Sequence, residues 1–174
     1  AFNYEIVEFS DPEFEQLYYM IRENLDDTFI DHNNTSDESD DIIGSFQNGW
    51  GLFIWNPDAG QSNLIIEVPH PCDDFISPYI AVDLFQQTDA AALMISGAGR
   101  EVVWTEDDDY SNDKSLSDPS RNANSPFHIF QEVLTDSLIQ LGPHSPLVLQ
   151  IHSFDNGSHE NFNSIVVSGG WDAW

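Results

Sequence analysis

Three short apolar runs, 63–68, 92–96 and 147–151, are separated by segments that open on Ser77-Pro78 and Ser125-Pro126. Runs of five or six apolar residues suit strands rather than helices. Proline in a first turn behind a small polar residue reads as a helix start. After Ser77, the residues Ile80, Ala81, Leu84 and Phe85 recur at helical spacing; after Ser125, Phe130, Val133, Leu134, Leu138 and Ile139 do the same. Strands alternating with helices predict an α/β fold with a mostly parallel, mixed sheet flanked by helices. A chain of 174 residues fits a single domain over 1–174, able to bury roughly two-thirds of its unfolded surface.

The flanks extend this pattern. Ser10-Asp11-Pro12-Glu13 resembles a helix cap, and Phe14, Leu17, Tyr18, Ile21 and Leu25 predict a helix over 11–26. Residues 49–56 and 63–68 read as two strands joined by a turn at 57–60, and 164–167 as a last short strand. The polar stretches 32–41 and 105–124 read as loops.

Charge narrows the function. Thirty-one acidic residues face four basic ones, a formal charge of −27. That field repels phosphate backbones and anionic lipid surfaces, so neither nucleic acid nor a membrane is expected as a partner. Self-repulsion of this size is relieved by salt, which suits a saline environment. No apolar run is long enough for a transmembrane helix. The start at Ala1 suits a processed export product, secreted or periplasmic, or an excised segment. Cys72, alone, cannot form an internal disulfide, and acidic neighbours argue for a buried or half-buried thiol rather than a nucleophile.

Ligand sites in open α/β sheets gather at the carboxyl ends of strands. His70 and Asp73 follow the run 63–68, Arg100 follows 92–96, and His152 follows 147–151. Two imidazoles and one carboxylate are the common three-ligand set of a catalytic zinc, with the fourth position left for water. His70, Asp73 and His152 are therefore the candidate Zn2+ ligands.

The order of these segments resembles the zinc carboxypeptidases over roughly 60–155. Glu67-Val68-Pro69-His70-Pro71-Cys72-Asp73 is similar to that family's strand-terminal H-x-x-E, with Asp73 where glutamate is commoner. The segment from Asp118 to Phe127 is similar to its D-x-N-R-N-F, with Ser120 in place of the asparagine, and Gln150-Ile151-His152-Ser153-Phe154 to its I-H-S-Y. The resemblance implies a three-layer domain and hydrolysis of an amide or peptide bond by metal-activated water. It also implies an oxyanion-stabilising Arg100 and an Arg121 that grips the carboxylate of a small-molecule or peptide substrate. For the general base it leaves three alternatives: Glu160 in an altered arrangement, a residue beyond a truncated C-terminus, or no competent peptidase.

Two other classes stay open. His70-Pro71-Cys72-Asp73-Asp74 resembles the H-P-D-D motif of zinc-dependent N-deacetylases, although the H-x-x-H expected of that family has no counterpart. Trp50, Trp55, Trp104, Trp171 and Trp174 could instead serve a non-enzymatic acidic binding module. The oligomeric state is not legible.

Overall fold

In a computed structural model, the residues described are 3–25, 29–30, 42–43, 48–100, 104–105, 114–115, 117–142, 145–153, 166–167 and 169. The chain opens with a hairpin rather than a helix. Strands β1 (Tyr4–Asp11) and β2 (Gln16–Glu23) pair antiparallel in unbroken register, from Tyr4↔Glu23 to Asp11↔Gln16. This corrects the helix expected over 11–26. Aromatic and β-branched residues crowd both segments and favour a pleated surface once a partner strand is present. The residue that resembles a helix cap serves a turn instead: the Asp11 carboxylate accepts from the N–H groups of Glu13 (2.8 Å) and Phe14 (3.4 Å). Tyr18 and Ile21 of that apolar set then pack from a strand, with Tyr18 lying 5.4 Å, centroid to centroid, from both Phe9 and Phe85.

A two-stranded ribbon, β3 (Phe29–Ile30) with β4 (Ile42–Ile43), comes next. Then follow β5 (Leu52–Trp55), β6 (Gln61–Val68), helix α1 (Ser77–Thr88) and β7 (Ala90–Ile95). A second ribbon, β8 (Trp104–Thr105) with β9 (Lys114–Ser115), precedes helix α2 (Pro126–Leu141) and strand β10 (Leu147–Gln150). The main sheet has six strands in the order β1-β2-β5-β7-β6-β10. Its β1, β2, β5 and β7 neighbours pair antiparallel, whereas β6 runs parallel to both β7 and β10. The fold is thus broadly α/β, but strand-rich, helix-poor and mixed; the parallel expectation holds only in the half built from β6, β7 and β10. Val166 and Val167 lie in no strand, and Ser164 and Ile165 fall outside the described residues.

Consecutive residues of β6 point to opposite faces. Ile66 and Val68 join Ala81 and Phe85 of α1, while Ile65 joins Phe53, Met94 and Phe127 of α2. One helix therefore packs on each face. Strand β7 between them is buried almost throughout, which explains its unbroken apolar sequence. On the α2 side, Phe53 and Phe130 stack with centroids 3.9 Å apart. Just beyond β7 the backbone of Gly97 lies so close to Gly49 and Gly51 that a side chain there would overlap main-chain atoms. That crossing holds the chain that leads on to Arg100.

The core on the α2 side also contains a carboxyl. Glu67 is fully buried, its Oε2 accepting from the Gln150 side-chain amide at 2.9 Å. Its Oε1 has no hydrogen-bond partner among the described residues. Burial pushes the Glu67 carboxyl up to about 7, against a smaller opposing effect of the Gln150 hydrogen bond. A pKa raised in the folded state means that folding holds a proton which the unfolded chain releases. This contribution is complete below the ordinary carboxylate pKa and is lost as pH rises through about 7. Glu67→Gln should therefore gain stability relative to wild type between pH 5 and pH 8, by roughly 2–3 kcal/mol. Denaturant titrations of both proteins at the two pH values measure it; parallel changes would refute it.

Candidate metal centre

Both parallel neighbours of β6 continue their bonding past the strand ends. Ser96 N–H donates to Val68 C=O at 3.0 Å, and Ile151 N–H donates to Glu67 C=O at 2.8 Å. The exits carrying His70, Arg100 and His152 therefore leave the sheet side by side. Beyond His70 the chain winds into a helical turn, with Asp74 N–H donating to His70 C=O at 2.8 Å. A residue four positions on comes round to the same side, and this brings Asp74 back to His70.

The result is a trio of His70, Asp74 and His152 that could hold a metal ion, with one donor atom from each. The Nδ1 atoms of the two imidazoles are 3.3 Å apart. Asp74 Oδ2 lies 3.0 Å from His152 Nδ1 and 3.7 Å from His70 Nδ1. A tetrahedral ion with bonds of about 2.0–2.1 Å requires donor-to-donor edges of about 3.3–3.4 Å. The three observed edges bracket that value. His70 and Asp74 are buried, whereas the His152 side chain is 41% exposed, so the trio opens to solvent on one side.

Surrounding groups hold these donors in place. Asp118 is buried on the turn before α2, where Arg121 and Asn122 N–H groups both donate to its carbonyl. Its Oδ1 lies 2.9 Å from His70 Nε2. A carboxylate can only accept, so in the neutral imidazole the proton sits on Nε2 and the Nδ1 lone pair faces the trio. Ser120 Oγ is also 2.9 Å from Nε2. That nitrogen is engaged with Asp118 as a donor, which leaves it no lone pair to activate Ser120 as a nucleophile. The turn is tied to α2: Ser125 Oγ caps the helix by accepting from His128 N–H at 3.3 Å, and the His128 ring contacts the Pro119 carbonyl. The second oxygen of Asp74, Oδ1, faces Ser153 Oγ at 3.3 Å and Arg100 Nη2 at 3.5 Å.

The expected ligands are thus brought together in part. His70 and His152 meet; Asp73 does not join them. Its Oδ2 accepts from the Arg100 backbone N–H at 2.8 Å and lies 3.5 Å from Arg100 Nε, so Asp73 anchors the arginine. Asp74 stands in the ligand position, and the signal for it was the i,i+4 spacing of a helical turn rather than the three-residue step of H-x-x-D. Arg100 does stand beside the trio, on Asp74. Arg121 Nε is 3.6 Å from Asp118 Oδ2, which places the guanidinium one carboxylate away from His70. Glu160, Trp171 and Trp174 lie outside the described residues. Cys72 is exposed rather than packed. The roles of Asp118 and Ser153 as supports were not read from the sequence.

No family model, curated protein or solved structure matches the chain. No helix among the described residues is long and apolar enough to cross a membrane.

The geometry orders a set of variants. Asp74→Asn should abolish tight divalent-metal binding, and Asp73→Asn should retain it. Asp118→Asn, which alters the support behind His70 and leaves all three donors in place, should weaken binding by about 10–100-fold. Competition with a chromophoric chelator measures all three, and equal loss in the Asp73 and Asp74 variants would overturn the assignment.

Proposed function

We propose that the chain is a zinc-dependent hydrolase of an amide or peptide bond in a carboxylate-bearing substrate, distantly similar to the zinc carboxypeptidases and their three-layer fold. The observation that carries this reading is the trio of two imidazoles and one carboxylate at tetrahedral spacing, open on the His152 side. Nitrogen and carboxylate donors with one open position suit zinc in a catalytic role. A bound zinc would supply Lewis acidity, polarising a carbonyl and making a water acidic near neutral pH.

The chain's own residues do the rest. Asp118 keeps the His70 proton away from the trio. Asp73 holds Arg100 by both backbone and side chain, leaving the guanidinium beside Asp74 to donate toward an oxyanion. Arg121, half-exposed and ion-paired with Asp118, is the residue we assign to the substrate carboxylate. In a chain of charge −27, a substrate with one carboxylate is admitted more readily than a polyanion.

Elemental analysis of tag-free protein should find about one zinc per chain, lost in His70→Ala. Arg100→Ala should keep the zinc while turnover falls by about 10²–10³-fold. Protein that holds no metal and gains no melting temperature when zinc is supplied would sink the hydrolase reading.

A further inference from the structure

Strand β10 poses a problem of register. From Leu147 to Ile151 the sequence is Leu-Val-Leu-Gln-Ile, apolar on consecutive residues with Gln150 as its one polar side chain. Strands are placed by alternation between an apolar and a polar face, and pairing slips where alternation is missing. Here Val148 packs on the α2 side and Ile151 on the α1 side, while Leu147 and Leu149 are exposed, so aliphatic residues occur in both orientations. The strand is four residues long and, among the described residues, pairs with β6 alone. Near its start the Asn63 amide donates to the Ser145 carbonyl at 3.1 Å, but every residue offers a carbonyl, so this bond selects no register. A slip of one residue would nevertheless move His152 by about 3.3 Å and turn its side chain to the other face. The donor separations of 3.0 to 3.7 Å in the trio would not survive it.

Glu67 supplies what the aliphatic residues lack. It is fully buried between Ile66 and Val68 on β6, and a buried acid is costly unless it is hydrogen-bonded. Of residues 147–151, only Gln150 has a side chain that can donate to it. In the observed register Gln150 is the Cα partner of Glu67, and its amide donates to Oε2 at 2.9 Å. Shifted by one residue either way, Leu149 or Ile151 would stand there instead, and the carboxyl would lose its one side-chain partner among the described residues. We propose that the Glu67–Gln150 pair is a register key, which aligns β10 on β6 and thereby delivers His152 to His70 and Asp74. Leaving a buried acceptor without its hydrogen bond disfavours the slipped pairing by about five- to a hundred-fold. Glu67 and Gln150 are positioning residues, acting through His152. The inference rests on the trio as the metal centre of the proposed hydrolase, and adds to that reading how the third donor is put in place.

The test removes the key and keeps the apolar packing. In a Glu67→Leu/Gln150→Leu double variant both partners become apolar, a change that is close to neutral or stabilising for a fold, so the melting temperature should hold or rise. Zinc affinity, measured by chelator competition, should nevertheless fall by about ten-fold, because only the correctly paired fraction binds. Gln150→Leu alone should show the same loss. Glu67→Gln, whose amide oxygen still accepts from Gln150, should keep wild-type affinity. In a His152→Ala background the double variant should cost nothing further, since the pair acts through that residue. In metal-free protein the backbone amide NMR signals of residues 147–152 should be single in wild type and in Glu67→Gln, and doubled or displaced in the double variant. Signals that stay single and in place in the double variant overturn the proposal. So does an equal loss of affinity with and without His152, which makes the pair a general support of the fold. Protein that takes up no zinc, yet shows doubled signals in the double variant, would reject the hydrolase reading and leave the register key standing.

Discussion

Strand β6 is hydrogen-bonded along both edges to parallel neighbours, and the rest of the site depends on that arrangement. Parallel pairing puts the carboxyl ends of β7, β6 and β10 on one side of the sheet. The bonds from Ser96 to Val68 and from Ile151 to Glu67 extend the pairing until the three exits have left the sheet. Separations of 82 and 78 residues, between His152 and its partners His70 and Asp74, are closed by backbone register before any side chain contributes. The antiparallel half, β1, β2 and β5, completes the sheet behind β7 and carries none of the trio.

A chain this acidic must deal individually with each carboxylate it buries, since an unpartnered buried charge is costly. Glu23 accepts from the backbone of Asn48 and Trp50 and from the Asn48 side chain, which pins the segment entering β5. Asp118 is matched to His70, and Asp74 is shared among His152, Arg100 and Ser153. Among the described residues Glu67 has only the Gln150 amide, and burial raises its pKa to about 7, which favours the protonated form instead. Two of these buried acids, Asp74 and Asp118, meet at His70 just past the end of β6, whereas Glu23 closes β2.

Strong local signals were legible in the sequence, and those that depend on pairing were not. The Ser-Pro starts and apolar runs locate α1, α2, β6, β7 and β10, and with them His70, Arg100 and His152. The segment 11–26 is misread because the helical spacing of Leu17, Tyr18 and Ile21 is also compatible with a strand, and the choice is made by the register with residues 4–11. Mostly parallel pairing was inferred from alternation alone, which says nothing about a hairpin added at one edge. In the site, motif spacing selects Asp73, but the turn closed by the Asp74 N–H to His70 C=O bond rotates Asp74 inward and Asp73 toward Arg100. Asp118 as a support for His70 depends on a contact across 48 residues, which no local pattern encodes.

Among the described residues, His152 follows an edge strand whose one hydrogen-bonded neighbour is β6. An ion held by His70, Asp74 and His152 would be a cross-link between that edge and the turn leading into α1, closing a loop of some 80 residues of chain. Closure of so long a loop removes far more freedom from the unfolded chain than from the folded one. Binding energy at the trio would then be folding energy as well. In mechanical terms the site is a clasp: the groups that could perform chemistry at its open face are also the ones that would fasten the last strand of the sheet.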